Sequence, residues 1–141
     1  MFDSNPNERL AKWKQFRDSL KTSSTPLEDV AEFWSHAPFV SDFLDPKNSN
    51  SWPDPWHLIL DGRFDDLAIV LGMLYTFLLT QRFMESQFEI HMSIVSQNKK
   101  PSYWLVIDGK YALNYHYKEV VAVDQVTLLP ATIIYTTASP L

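Results

Sequence analysis

Carboxylates and imidazoles are the groups of this chain whose type and spacing could do chemistry. Asp65 and Asp66 stand side by side where a long apolar stretch begins, and His36, His57, His91 and His116 are the four histidines of the 141 residues. A carboxylate pair can shuttle protons or bind a cation. The same pair also suits the first turn of a helix, where each carboxylate offsets the positive helix end by about 0.3–1 kcal/mol, and capping is the preferred reading. His91 and His116 lie in strand-like runs and, facing one another, could hold a metal or act as bases. Neither H-x3-H nor H-E-x-x-H spacing occurs, and both histidines fall on the polar phase of their runs, so solvated sheet residues are expected. Asp45, Asn48, Asn50 and Asp54 gather oxygen atoms in one loop. A calcium loop of the EF type needs a glycine and a twelfth-position glutamate that this segment lacks, and turn formation explains its residues. No metal and no cofactor is expected.

Other chemistries are excluded by composition. The chain has no cysteine, which removes disulfides, thiolate metal sites and thiol nucleophiles. Gly62, Gly72 and Gly109 are its three glycines and cannot build a phosphate-cradling loop. Twelve basic residues against 17 acidic ones leave a net charge of −5, which gives no general attraction for nucleic acid. Lys12, Lys14, Arg17 and Lys21 alternate with Glu8 and Asp18 as a solvated helix face does. An acidic inhibitor that imitates nucleic acid would need this sparse charge gathered on one face. The most distinctive surface candidate is Trp52-Pro53-Asp54-Pro55-Trp56. Exposed, the two indoles with Pro53 would anchor a protein partner; folded back, they would cover a helix junction. Both readings stand at this point.

These groups need elements to position them. Asn5-Pro6-Asn7-Glu8 and Thr25-Pro26-Leu27-Glu28 each offer a cap, a proline at the first helical position and a carboxylate three residues after the cap. Leu10, Trp13 and Leu20 follow the first at helical spacing, and Leu27, Val30, Ala31 and Trp34 the second. Pro38 ends or bends that helix, with a short apolar helical turn over Phe39, Val40, Phe43 and Leu44 beyond it. Asp54-Pro55 caps a piece over Trp56 to Leu60, with Gly62 as its stop. A helix apolar on nearly all sides runs from about Phe64 to Arg82. The period then changes to two: Phe88, Ile90, Met92 and Ile94 alternate with polar neighbours. Tyr103 to Ile107 and Lys110 to Tyr117 flank Asp108-Gly109, a type I′ hairpin signal. Val120 to Val123 and Ile133 to Thr137 add strands, with Pro130 limiting their length. The expectation is one α+β domain over 1–141, with a helical part over 1–50 and a central helix plus antiparallel sheet over 51–141. No apolar run reaches membrane-spanning length and the first residues lack a signal-peptide core.

The order of central helix and hairpin, with its local text, resembles the transglutaminase-like, papain-related family. Gly62-Arg63-Phe64-Asp65-Asp66-Leu67-Ala68 is similar to that family's G-x-C-x-D-x-A. Ser102-Tyr103-Trp104 falls where the family has H-x-W, and Trp104 to Tyr111 is similar to its W-x-E-V-x-x-x-G-x-W hairpin. The likeness spans about residues 52 to 118. It implies a nucleophile position at Phe64, an imidazole position at Ser102 and a third position near Asn114 or Tyr115. None carries the family's reacting group, so the resemblance implies a catalytically empty member. The runs FWSHAPFVSDFLDP and SWPDPWHLILDG also resemble small proteins of marine tailed phages, which implies a virion component or a host-directed factor in the host cytoplasm.

Together these readings point to a non-enzymatic protein that binds a protein partner, or a second copy of itself, through aromatic and acidic surface at Trp52, Pro53 and Trp56. The alternative is an enzyme of the transglutaminase or peptidase type with a changed catalytic group, in which Asp65, His91 or His116 would converge at the start of the Phe64 helix.

Overall fold

Three of the helices begin at a proline that follows a side chain bearing oxygen. The computed structural model describes residues 1–40, 44–94, 100–127 and 131–137. Helix α1 is Pro6–Ser19, α2 Pro26–Trp34, α3 Pro55–Asp61 and α4 Asp66–Leu78. Asn5 accepts from the Glu8 N–H at 2.9 Å, Asp54 from His57 at 2.8 Å and Asp65 from Ala68 at 2.7 Å. Each satisfies an amide that the helix itself leaves unpaired. Thr25 departs from its pattern. Its side chain makes no capping bond, and its hydroxyl donates to Asp29 at 3.1 Å instead. Gly62 ends α3 in the left-handed conformation (φ +64°), as a C-terminal glycine does.

Helix α4 starts and stops inside its expected span. Asp65 marks the start, and after Leu78 the chain tightens into a short 3-10 turn over Gln81–Phe83. The expected helical turn after Pro38 is not formed at Phe39, which makes an isolated parallel bridge to Phe64. The Val40 N–H donates to the Phe64 carbonyl at 2.7 Å, so this stretch is held by α4's approach segment and not by its own backbone. Phe43, included in that expectation, lies outside the described residues, as does Pro130.

Five strands follow: β1 Phe88–Ser93, β2 Ser102–Ile107, β3 Tyr111–Leu113, β4 Val120–Ala122 and β5 Thr132–Thr136. Every pairing is antiparallel and the order is β4-β3-β2-β1-β5, so β5 joins the same sheet beside β1. Asp108 and Gly109 both have positive φ (+53° and +65°), as a type I′ turn requires. Strand β3 is shorter than expected because Asn114, at φ +69°, turns the chain away. The fold is α+β, with helices first and the sheet after.

The main core lies between α1–α4 and the sheet face carrying Phe88, Ile90, Tyr103, Leu105, Ile107 and Leu113. A smaller cluster of Trp104, Val106, Ala112 and Val121 covers the opposite face. Trp13 and Trp34 are fully buried, and both indole N–H groups donate to the Thr76 hydroxyl at 3.0 Å. Thr76 in turn donates to the Gly72 carbonyl at 2.7 Å. Gly72 makes room for Trp34: a Cβ there would lie 2.3 Å from the indole. Arg9 ties α1 to the end of α3 by donating to the Ile59 and Leu60 carbonyls at 2.9 and 2.6 Å. Among the described residues, no helix is long and apolar enough to cross a membrane.

Candidate functional site

Asp65 and Asp66 are adjacent, yet the helix start sends them to different work. Asp65, 7% exposed, accepts from the Ala68 N–H with one oxygen and from the Leu44 N–H, at 3.0 Å, with the other. It is a cap that also pins the incoming segment, in agreement with the capping expectation. Asp66 turns toward the sheet. Its Oδ2 accepts from the Tyr103 N–H at 3.3 Å and its Oδ1 from the Asn114 side-chain amide at 3.0 Å. The same Asn114 nitrogen donates to the Tyr103 carbonyl at 3.0 Å. Asn114 can reach both because its left-handed backbone, tolerable for asparagine, ends β3 at that point.

The environment raises the Asp66 pKa above the ordinary carboxyl range. Burial is the main cause, opposed by the bonds from Asn114 and Tyr103 and reinforced by the neighbouring Asp65 charge. The Tyr103 hydroxyl is pushed up to about 12, chiefly by burial and then by Asp65 and Asp66. A cavity of about 240 Å³ opens over this pair. Phe39, Leu44, Pro101 and Tyr103 line it together with both aspartates and Lys100. Phe39 is 64% exposed, so this wall meets solvent. An apolar cleft with a partly desolvated carboxyl in its lining is a common form of small reaction site.

The histidines do not join it. His91 opposes Trp104 across β1 and β2, its ring 5.9 Å away, and its Nε2 lies 3.1 Å from Glu89. Trp104 belongs to the sheet face turned from the helices, while its neighbour Tyr103 belongs to the α4 side. His116 is exposed and contacts Tyr115, whose ring meets Trp104 at 5.4 Å on that outer face. The expected convergence of His91 or His116 on the start of α4 is therefore corrected: strand alternation puts His91 behind the sheet, and His116 lies in the bend that follows β3, outside the lining of the cleft. Phe64, at the nucleophile position of the resemblance, is fully buried against Phe2 and Trp34. Ser102 opens β2 opposite Ser93. Asn114, at the third position, does reach the α4 start, where it holds a carboxylate.

Trp52 and Trp56 occupy separate neighbourhoods. The Trp52 indole donates to the Asp45 carbonyl at 2.8 Å and lies 6.2 Å from the Tyr135 ring of β5. Trp56, 46% exposed, meets Trp13 of α1 edge to face at 5.8 Å. Between them, the Pro53 carbonyl accepts from the Tyr75 hydroxyl at 2.5 Å. Sequence reasoning missed the role of Tyr103 and the Arg17–Trp13 contact, in which the guanidinium carbon sits 4.4 Å over the indole. The i, i+4 spacing of Trp13 and Arg17 was the available signal.

No family model matches the chain, and no curated protein matches it. Solved structures do. Legionella pneumophila LapG in its calcium-bound form aligns with a TM-score of 0.69 at 15% identity, over 95% of this chain and 76% of LapG. EGTA-treated LapG gives 0.69 at 14%, over 93% and 73%. At that identity the likeness shows that this chain shares LapG's fold and nothing further. LapG is a transglutaminase-like cysteine protease. The expectation that this chain is not an enzyme is corrected on that finding: it treated the missing thiol as decisive, whereas the surrounding architecture is shared with an enzyme. The question of chemistry passes to the groups that are present. The four oxygens of Asp65 and Asp66 each accept from a protein N–H group. Among the described residues, no three His, Asp or Glu side chains are placed to hold a metal.

Proposed function

We propose that the chain is an enzyme of the transglutaminase or peptidase type with an altered catalytic group, and that the Asp66 carboxyl moves the proton at the start of α4. The observation that carries this reading is the raised pKa of a half-buried Asp66 lining an open cleft in a fold shared with a protease. General acid–base catalysis works best when the group's pKa approaches the working pH.

In this reading a polypeptide segment lies against Phe39, Leu44 and Pro101 with one amide over Asp66. The ionised carboxyl takes a proton from water, and the resulting hydroxide oxygen bonds to the amide carbon. The same proton then passes to the leaving nitrogen as the C–N bond breaks. Tyr103, neutral below about pH 12, contributes a hydroxyl donor to the same wall. Asn114 acts as a positioning residue, fixing the carboxyl through one amide bond. The phage likeness adds a setting for this reading, the host cytoplasm or the virion.

The test is turnover of a mixed peptide substrate by the purified chain, followed by mass spectrometry of new termini. Asp66→Asn should lower the rate by about 10²–10⁴-fold, with near-native unfolding behaviour. Absence of turnover in the wild type, or an undiminished rate in Asp66→Asn, would overturn the proposal.

A further inference from the structure

A second surface, where α1 meets the start of α3, carries a guanidinium whose Nε has no hydrogen-bond partner among the described residues. Arg17 lies one turn after Trp13 on α1. Its guanidinium sits 4.4 Å over the Trp13 ring and 5.7 Å from the Trp56 ring. Trp13 cannot move away, because its N–H is committed to Thr76 at 3.0 Å in the core. Trp56 is fixed from the other side: Asp54 caps α3 immediately before it, and its ring meets Trp13 edge to face. The guanidinium is thus held against two indoles, one buried and one 46% exposed.

The Arg17 Nε is buried and has no acceptor among the described residues. A buried donor without a partner costs about 1–3 kcal/mol, and such a group in a folded protein calls for an explanation. The local charge sharpens the point. Lys14 and Lys21 lie on either side of Arg17 along the chain, and both pair with the single carboxylate of Asp18 at 3.4 Å. Three cations therefore stand with one anion, on a chain whose net charge is −5. Burial lowers the Arg17 pKa from its ordinary value, while Asp18 raises it in part; an arginine nonetheless remains charged.

We propose that Arg17 and Trp56, backed by the buried Trp13, form a docking site for an acidic polypeptide segment, with a partner carboxylate on the guanidinium and an adjacent apolar side chain on the exposed Trp56 face. A carboxylate supplies the acceptors that a planar guanidinium matches. An indole beside it supplies the anchor typical of interface hot spots. The excess of cations around Arg17 selects acidic partners. The acidic remainder of the surface opposes polyanions as long as nucleic acid.

The experiment uses the full chain and a fluorescein-labelled peptide of four glutamates alternating with three leucines, read by fluorescence polarisation at low salt. Wild type should bind it, with affinity falling as salt rises. Arg17→Gln should weaken binding about tenfold and Trp56→Ala by a similar factor. Arg17→Lys keeps the charge but loses the planar fork, and should lose most of the affinity as well. Near-UV circular dichroism reports folding of each variant; Trp56→Ala, whose ring is half exposed, decides the matter if Arg17→Gln does not fold. No binding by wild type, equal binding of a peptide with glutamine for glutamate, or wild-type affinity in the Trp56→Ala variant would overturn the proposal. Tighter binding of a hexathymidine oligonucleotide than of the peptide would also overturn it.

Discussion

The junction of α1, α2 and α4 and the cleft at the start of α4 both place polar groups inside the protein, with opposite outcomes. At the junction, one threonine hydroxyl satisfies two indoles and is itself satisfied by the Gly72 carbonyl. No titratable group takes part, and the three residues are fully buried. At the cleft, Asp66 receives two hydrogen bonds but is only partly buried and has a raised pKa. Polar capacity that is wholly spent within the fold specifies packing. A titratable group left partly desolvated next to a cavity keeps a state that a ligand or a proton can change.

Replacing Thr76 should produce the largest effect. Thr76→Val leaves both indole N–H groups buried without an acceptor, and a loss of about 2–6 kcal/mol is expected from chemical denaturation. Thr76→Ser should recover most of it; equal losses in both variants would mean that the shared hydroxyl is not what holds the tryptophans. Gly72→Ala comes next, at about 1–3 kcal/mol for overpacking, because the new methyl meets rigid indole carbons. A neutral outcome there would show that Trp34 can retreat.

Smaller effects are expected at the cleft. Asn114→Ala should cost about 1–2 kcal/mol through the lost amide bonds and the left-handed backbone, and Asn114→Gly should recover the backbone part only. Turnover, if the cleft reacts as proposed, should fall in both. Asp66 gives the finest distinction. Its folded pKa lies above its unfolded value, so its stabilising contribution is complete below about pH 3.8 and is lost as pH rises through the folded pKa. The stability of wild type relative to Asp66→Asn should therefore decline from pH 3.5 upward and level off above the folded pKa. A wild-type advantage that grows over that range would reverse the assigned shift.

Much of the architecture could be read along the chain because local geometry decides it. Asn5, Asp54 and Asp65 cap through atoms three residues away. Asp108-Gly109 adopts the two positive φ angles that a tight hairpin needs. Phe88 and Ile90 point into the core while His91 lies on the opposite face of the sheet, as alternation requires. Thr25 shows where such reading stops: its pattern matches that of Asn5, but Asp29 competes for the hydroxyl. The Phe39 bridge was equally hidden, since its partner Phe64 is remote in sequence.

The site was less legible than the frame. Asp65 and Asp66 are indistinguishable as neighbours in text, and only the approach of β2 and of Asn114 after β3 gives Asp66 its partners while Asp65 caps the helix. Trp52 and Trp56 read as one patch, but the turn into α3 separates them, one toward β5 and the other toward α1. The absence of cysteine and the family likeness of residues 52 to 118 were both visible in the text, and the likeness of the whole fold to LapG, at a TM-score of 0.69, was added by the folded chain.

The amino-acid order alone determined where helices start, where the hairpin turns and which faces are apolar, because capping, φ preference and periodicity act over a few residues. Tertiary structure decided which carboxyl is partly desolvated, which indoles meet and which arginine is left with a buried donor. Those properties depend on burial and on partners brought together from distant parts of the chain, and neither has a local signature.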